Sequence, residues 1–151
     1  MAGNRTLRFS VAFAEGAARA VDGRRALQAL LDRAARLGHV PLPSSTVMDA
    51  QLVISELLTN AMLHAPGPCG LVLELSATDL SVTVWDTSRE QPVAQPRDRQ
   101  RVGGHGLHLV RALCDRFDTA ARPGGKQVTA RVRLVPDQPR PRQAGPAHGS
   151  S

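Results

Sequence analysis

The chain has 151 residues, enough for one domain with a real core. Its hydrophobic fraction is 42% but its aromatic fraction only 3%, so Leu, Val and Ala must fill the interior. A net charge of +6 and a pI near 11.1 raise nucleic acid as a partner, yet the arginines are scattered, tyrosine is absent and no aromatic-interleaved basic strand offers a stacking platform. The charge suits acidic partners instead, nucleotide phosphates among them. Cys69 and Cys114 lack metal-type spacing and read as free thiols in a reducing cytoplasm. The N-terminus has no continuous apolar stretch, and no apolar run approaches the ~18 residues of a membrane helix, so neither signal peptide nor transmembrane span is expected.

In chain order, Leu7, Phe9, Val11 and Phe13 alternate with Arg8, Ser10 and Ala12, a strand with one buried face. A helical pattern runs from Glu15 to Leu37, and Gly38 stops it. After a loop at Pro41 and Pro43, Ser44 to Thr46 offers an N-cap for a helix reaching about His64, which Ala65-Pro66-Gly67-Pro68 ends. Two short strands follow, one on Leu71, Leu73 and Leu75 and one from Leu80 to Trp85, closed by Asp86. Residues 87 to 103 are polar, arginine-rich and interrupted by Pro92 and Pro96, a long loop of the kind that is usually functional or disordered. Gly106 to about Arg116 reads as a third helix, followed by strands near Phe117 to Arg122 and from Val128 to Val135. Residues 1–135 thus form the domain, and the Pro-, Gly- and Ser-rich residues 136–151 form a disordered tail. The order predicts an α+β, two-layer sandwich: a mixed, mostly antiparallel sheet with helices on one face. Arg8, Glu74, Arg131 and Arg133 mark the uncovered face.

Three segments carry chemistry. In Glu56-Leu57-Leu58-Thr59-Asn60-Ala61-Met62-Leu63-His64, the residues Glu56, Asn60 and His64 stack one turn apart along one helix face. A carboxylate, a carboxamide and an imidazole in a row can activate a hydroxyl, ligate a hard cation and hold a phosphate. Such rows are more often solvated helix surface, but here apolar neighbours surround the polar edge. Asp86 in Val84-Trp85-Asp86-Thr87-Ser88 puts a carboxylate at the end of a buried strand. Gly103-Gly104-His105-Gly106-Leu107 opens straight into a helix, where close backbone approach and unsatisfied N–H groups favour an anion. This cluster is neither a Walker loop nor a dinucleotide fingerprint, since no Gly-Lys-Ser/Thr follows it and a long loop precedes it. Zinc on His105 and His108 with His64 and Glu56 is a competing account, disfavoured because there is no HExxH and no cysteine pair.

In this order the segments resemble the GHKL, or Bergerat-fold, ATPases over roughly Leu7 to Leu134. Their closest likeness is to the small actinobacterial anti-sigma-factor serine/threonine kinases with a histidine kinase-like ATPase domain. Glu56 to His64 looks like that family's N box, Val84-Trp85-Asp86 onward like its first glycine box, and Gly103 to Leu107 like its second. Asp115-Arg116 and Gly124-Gly125-Lys126-Gln127-Val128 fit the closing segments. The resemblance implies ATP and Mg²⁺ as cofactors. Glu56 is then the general base, Asn60 the Mg²⁺ ligand at the phosphates, and Asp86 the acceptor for the adenine amino group. His64 borders the phosphates, while Gly104, His105, Gly106 and Leu107 belong to the lid. Ser88 stands where relatives have a glycine, and Thr129 is the nearest hydroxyl after Gly125, where many relatives carry a threonine near the adenine.

By the same resemblance the chain is a cytoplasmic ATP-binding regulator that phosphorylates an anti-anti-sigma protein and sequesters a sigma factor. It would engage neither nucleic acid nor membrane, and a homodimer is among the assemblies it admits. The alternative is a non-catalytic module in which nucleotide gates protein binding.

Overall fold

The computed structural model describes residues 6–14, 19–64, 67–87 and 106–134. The elements follow as β1 (Leu7–Phe13), α1 (Ala20–Arg36), α2 (Ser44–His64), β2 (Cys69–Leu75), β3 (Asp79–Asp86), α3 (Gly106–Leu113), β4 (Arg116–Arg122) and β5 (Gly125–Arg133). The strands form one five-stranded sheet in the order β1-β2-β3-β5-β4. All four ladders are antiparallel, so the parallel component of the expected mixed sheet is absent among the described residues. Helices α1 and α2 cover one face, and α3 packs on α2 at the β4–β5 side.

Strand alternation decides what is buried. Leu71, Leu73 and Leu75 of β2 share a face with Leu80, Val82 and Val84 of β3 and with Val128, Ala130 and Val132 of β5. Against this layer pack Leu27 and Leu30 of α1 and Val53, Ile54, Leu57 and Leu58 of α2. At Gly23 the two helices approach closely. A Cβ there would overlap the side chain of Ile54 and touch Leu58. A glycine inside a helix costs about 1 kcal/mol relative to alanine, and this one is exchanged for closer helix contact.

The helix ends follow from local chemistry. Arg19 is extended, and its backbone N–H donates to the Asp22 carboxylate at 3.0 Å, so α1 begins after it. The expected start at Glu15 lies outside the described residues. At the other end Gly38 adopts φ +85° while His39 N–H donates to the Ala34 carbonyl and Gly38 N–H to that of Ala35, a Schellman closure. Helix α2 begins at Ser44, and Val47 N–H donates to the Pro43 carbonyl, so Pro43 holds the cap position and the serines expected to cap the helix lie inside it.

Two boundaries differ from the sequence reading. Helix α3 stops at Leu113 rather than near Arg116, because Asp115 N–H is taken by the Arg131 carbonyl and the chain turns into β4. Strand β5 starts at Gly125, three residues before Val128, because β3 runs on to Asp86 and its last residues need a partner. Pro123 and Gly124 make the β4–β5 turn, and Gly124 takes φ +79°, the residue pattern of a type II turn.

The uncovered face is polar as expected. Exposed Arg8 lies 3.7 Å from Glu74, and Thr83 and Thr129 hydroxyls meet at 2.9 Å. Trp85 lies across Gly70, where any Cβ would run into the indole, and the Arg122 guanidinium stacks over the ring at 4.7 Å. No described helix is long and apolar enough to cross a membrane. The tail expected beyond residue 135 falls outside the described residues.

The packing predicts a sharp contrast between two leucines of α2. Leu58→Ala, at a fully buried position, should cost about 2–5 kcal/mol in urea unfolding. Leu63→Ala, on the exposed side, should change stability by no more than about 0.5 kcal/mol. Equal losses at the two positions would contradict the buried face assigned to α2.

Candidate active site

The site lies at one end of the sheet and is fixed by register. Phe13, Cys69, Asp86, Lys126 and Ala121 form a row across β1, β2, β3, β5 and β4, on the face that the helices cover. Asp86 follows Leu80, Val82 and Val84 in the alternation, so its carboxylate turns inward at the last covered position of β3. It is 4% exposed. Lys126 takes the same parity on β5 and is 3% exposed. Its Nζ donates to both Asp86 carboxylate oxygens, at 3.0 and 2.8 Å.

Helix α2 reaches the same end. The loop before its first residue packs near Leu75, Ser76 and Leu134, at the opposite end of the sheet. At 21 residues the helix is about 31 Å long, enough to run the length of strands of seven to nine residues. Its C-terminal half, with Glu56 and Asn60, therefore approaches the Cys69–Asp86–Lys126 end. Gly67, three residues beyond α2, lies beside Thr87 at that end, where a Cβ would abut the Thr87 hydroxyl. Glu56 is half-buried. Asn60 is 7% exposed, one of the few buried polar side chains among the described residues.

Other expected site residues divide into two groups. His64 closes α2, while Gly106 and Leu107 open α3. Their side chains lie outside the described residues, as do Ser88, Gly104 and His105 entirely. Thr129 is a correction: its odd parity on β5 sends the hydroxyl to the uncovered face, where it pairs with Thr83. The sheet itself separates it from Asp86, so it does not serve the same site. Lys126 was missed as a site residue. The available signal was parity, because Lys126, Val128, Ala130 and Val132 alternate on one face once the strand is extended back to Gly125.

A family model, the histidine kinase-like ATPase domain, matches residues 20–132. The chain belongs to that family. No curated protein matches it.

For a histidine kinase-like ATPase domain the nucleotide is ATP, and the described residues can be tested against a divalent cation as well. Among them no group of three His, Cys, Asp or Glu side chains could hold a metal. A protein cage is not what Mg²⁺ requires, since it is commonly held by one or two side chains together with phosphate and water oxygens. Asn60, a buried carboxamide on the helix that ends beside this row, has the oxygen donor that suits this role.

Cys69, beside Asp86 on β2, completes the inward row of this ATPase domain. Burial raises its thiol pKa, and the neighbouring Asp86 carboxylate raises it further. Below the ordinary thiol range both folded and unfolded chains keep the proton. Above it the unfolded chain ionises first, so this residue lowers stability as pH rises until the folded thiol ionises too. Two outcomes are expected. At mildly alkaline pH a thiol reagent should modify half-buried Cys114 at least about tenfold faster than Cys69. Cys69→Ala should remove that part of the alkaline loss of stability. Equal labelling rates would mean that the inward row is open to solvent.

Proposed function

We propose that this ATPase domain is an ATP-dependent serine/threonine protein kinase acting in the cytoplasm on an anti-anti-sigma protein, and that it thereby controls a sigma factor. The observation that carries the proposal is the arrival of Glu56 and Asn60, one helical turn apart, at the end of the sheet where Asp86 is buried. A base to activate a hydroxyl, a carboxamide to hold a cation and a carboxylate to read a purine amine are the parts that phosphoryl transfer needs.

Asp86 accepts the exocyclic amine of adenine and orients the nucleotide. Asn60 would hold Mg²⁺ together with phosphate oxygens, and the cation, when bound, would supply charge neutralisation. Glu56 takes the proton of the substrate serine hydroxyl as its oxygen attacks the γ-phosphorus. The bond from that phosphorus to the bridging oxygen breaks, giving phosphoserine and ADP. Val84, Val128 and Leu57 are buried in the core that adjoins this end of the sheet, and such apolar surroundings would strengthen each polar contact.

Binding of a fluorescent ATP analogue, with and without Mg²⁺, tests the placement. Wild type should bind with Mg²⁺ dependence and Asn60→Ala should lose that dependence. Glu56→Ala should keep ATP affinity within about twofold while phosphate transfer to protein serine falls by roughly 10²–10⁴-fold. If Glu56→Ala transfers phosphate at the wild-type rate, Glu56 is not the base. If it still regulates its partner fully without transfer, the domain is a nucleotide-gated binding module instead.

A further inference from the structure

We infer that Lys126 is a second reader of the nucleotide base, donating a hydrogen bond to the purine ring nitrogen N1 beside the amine that Asp86 accepts. The inference rests on the reading that the base of ATP docks against Asp86.

The position of Lys126 is the first ground. It is the sole lysine of the chain, and it is buried at the inward end of β5 rather than left in solvent. A buried ammonium–carboxylate pair is weak evidence of stabilisation, because desolvation offsets most of the attraction and apolar replacements are often as stable. Other pairs in the chain, such as Arg8 with Glu74 and Arg116 with Asp118, sit on exposed surface. Only the Asp86–Lys126 pair, among the described ones, faces the covered side where the catalytic helix ends.

Hydrogen-bonding capacity is the second ground. An ammonium carries three donors. Two are directed at the Asp86 oxygens at 3.0 and 2.8 Å, so a third remains for a ligand held against the group that takes the amine. The edge of adenine offers a donor at its amine and an acceptor at the neighbouring N1. A carboxylate alone matches only the first of these, and an N1 left unpaired in a water-poor slot weakens binding. An acceptor and a donor held side by side match both. Guanine presents the opposite order, an acceptor at O6 and a donor at N1, and would face like against like.

Register is the third ground. Asp86 and Lys126 are direct cross-strand partners, so the backbone sets their spacing. Gly125, next to Lys126, lies so close to the Asp86 carbonyl that any side chain there would clash. The pair is therefore held by two strands rather than by the flexible stem of a surface lysine.

Calorimetric titration with ATP, GTP and 1-deaza-ATP, in which a C–H replaces N1, decides the matter. Wild type should bind 1-deaza-ATP roughly tenfold or more weakly than ATP, and GTP more weakly still. Lys126→Met should bind ATP about as weakly as wild type binds 1-deaza-ATP, and should no longer distinguish the two. Because that variant takes a charged partner away from buried Asp86, the double variant Asp86→Leu with Lys126→Met, which leaves no donor at either position, is titrated beside it, and it too should lose the distinction. Equal binding of ATP and 1-deaza-ATP to wild type would overturn the inference. So would discrimination surviving in the double variant, or tighter ATP binding by Lys126→Met, which would make Lys126 a competitor for Asp86. Failure of wild type to bind ATP at all would instead remove the docking of the base at Asp86, and the inference with it.

Discussion

The register between β3 and β5 is the constraint on which the rest depends. With Val84 opposite Val128 and Leu80 opposite Val132, every second residue of both strands enters the core, and the same alternation delivers Asp86 and Lys126 to one inward position. Side chains in a strand alternate faces, so a slip of one residue would turn the aliphatic layer outward and bury the arginines and threonines of the other face. Core and site are therefore fixed together. The energy that holds the register comes from aliphatic burial, and the polar row at its end inherits a geometry it does not itself need to stabilise.

The interior is made almost wholly of leucine, valine, isoleucine and alanine, with the phenylalanines at its margins. Small branched side chains fill space only if the elements approach closely, which explains the glycines at contact points. Gly23 lets α1 settle onto Ile54 and Leu58, and Gly125 lets β5 run tight beside the end of β3. The first approach shapes the core and the second shapes the site.

Most of the fold was legible in the sequence because its signals are periodic. The alternation in β1, β2 and β3 gave their faces, and Gly38 and the Pro66 to Pro68 segment marked helix ends. Boundaries failed where local chemistry was outvoted by pairing. Gly125-Lys126-Gln127 reads as the tail of a turn, yet the unpaired end of β3 recruits it into a strand. That extension brings inward Lys126, which a single-residue reading leaves as surface charge. Thr129 lies on the far face by the alternation that Val128 and Ala130 already set. The helix row of Glu56 and Asn60 was visible from spacing alone. Its meaning was not, since identical spacing occurs on solvated helices, and only the shared arrival with Asp86 at one end of the sheet separates the two cases.

Trp85 stands immediately before Asp86 and points the other way, its indole laid over Gly70 and covered by Arg122. The chain has one tryptophan and no tyrosine. Its near-ultraviolet emission therefore comes almost entirely from a ring on the back of the strand that carries the buried Asp86 carboxylate. A change of strand position on the inner side is transmitted through a single peptide unit to a chromophore on the outer side. The molecule carries its own optical reporter, on the opposite face of the sheet from the Asp86 row and needing no label.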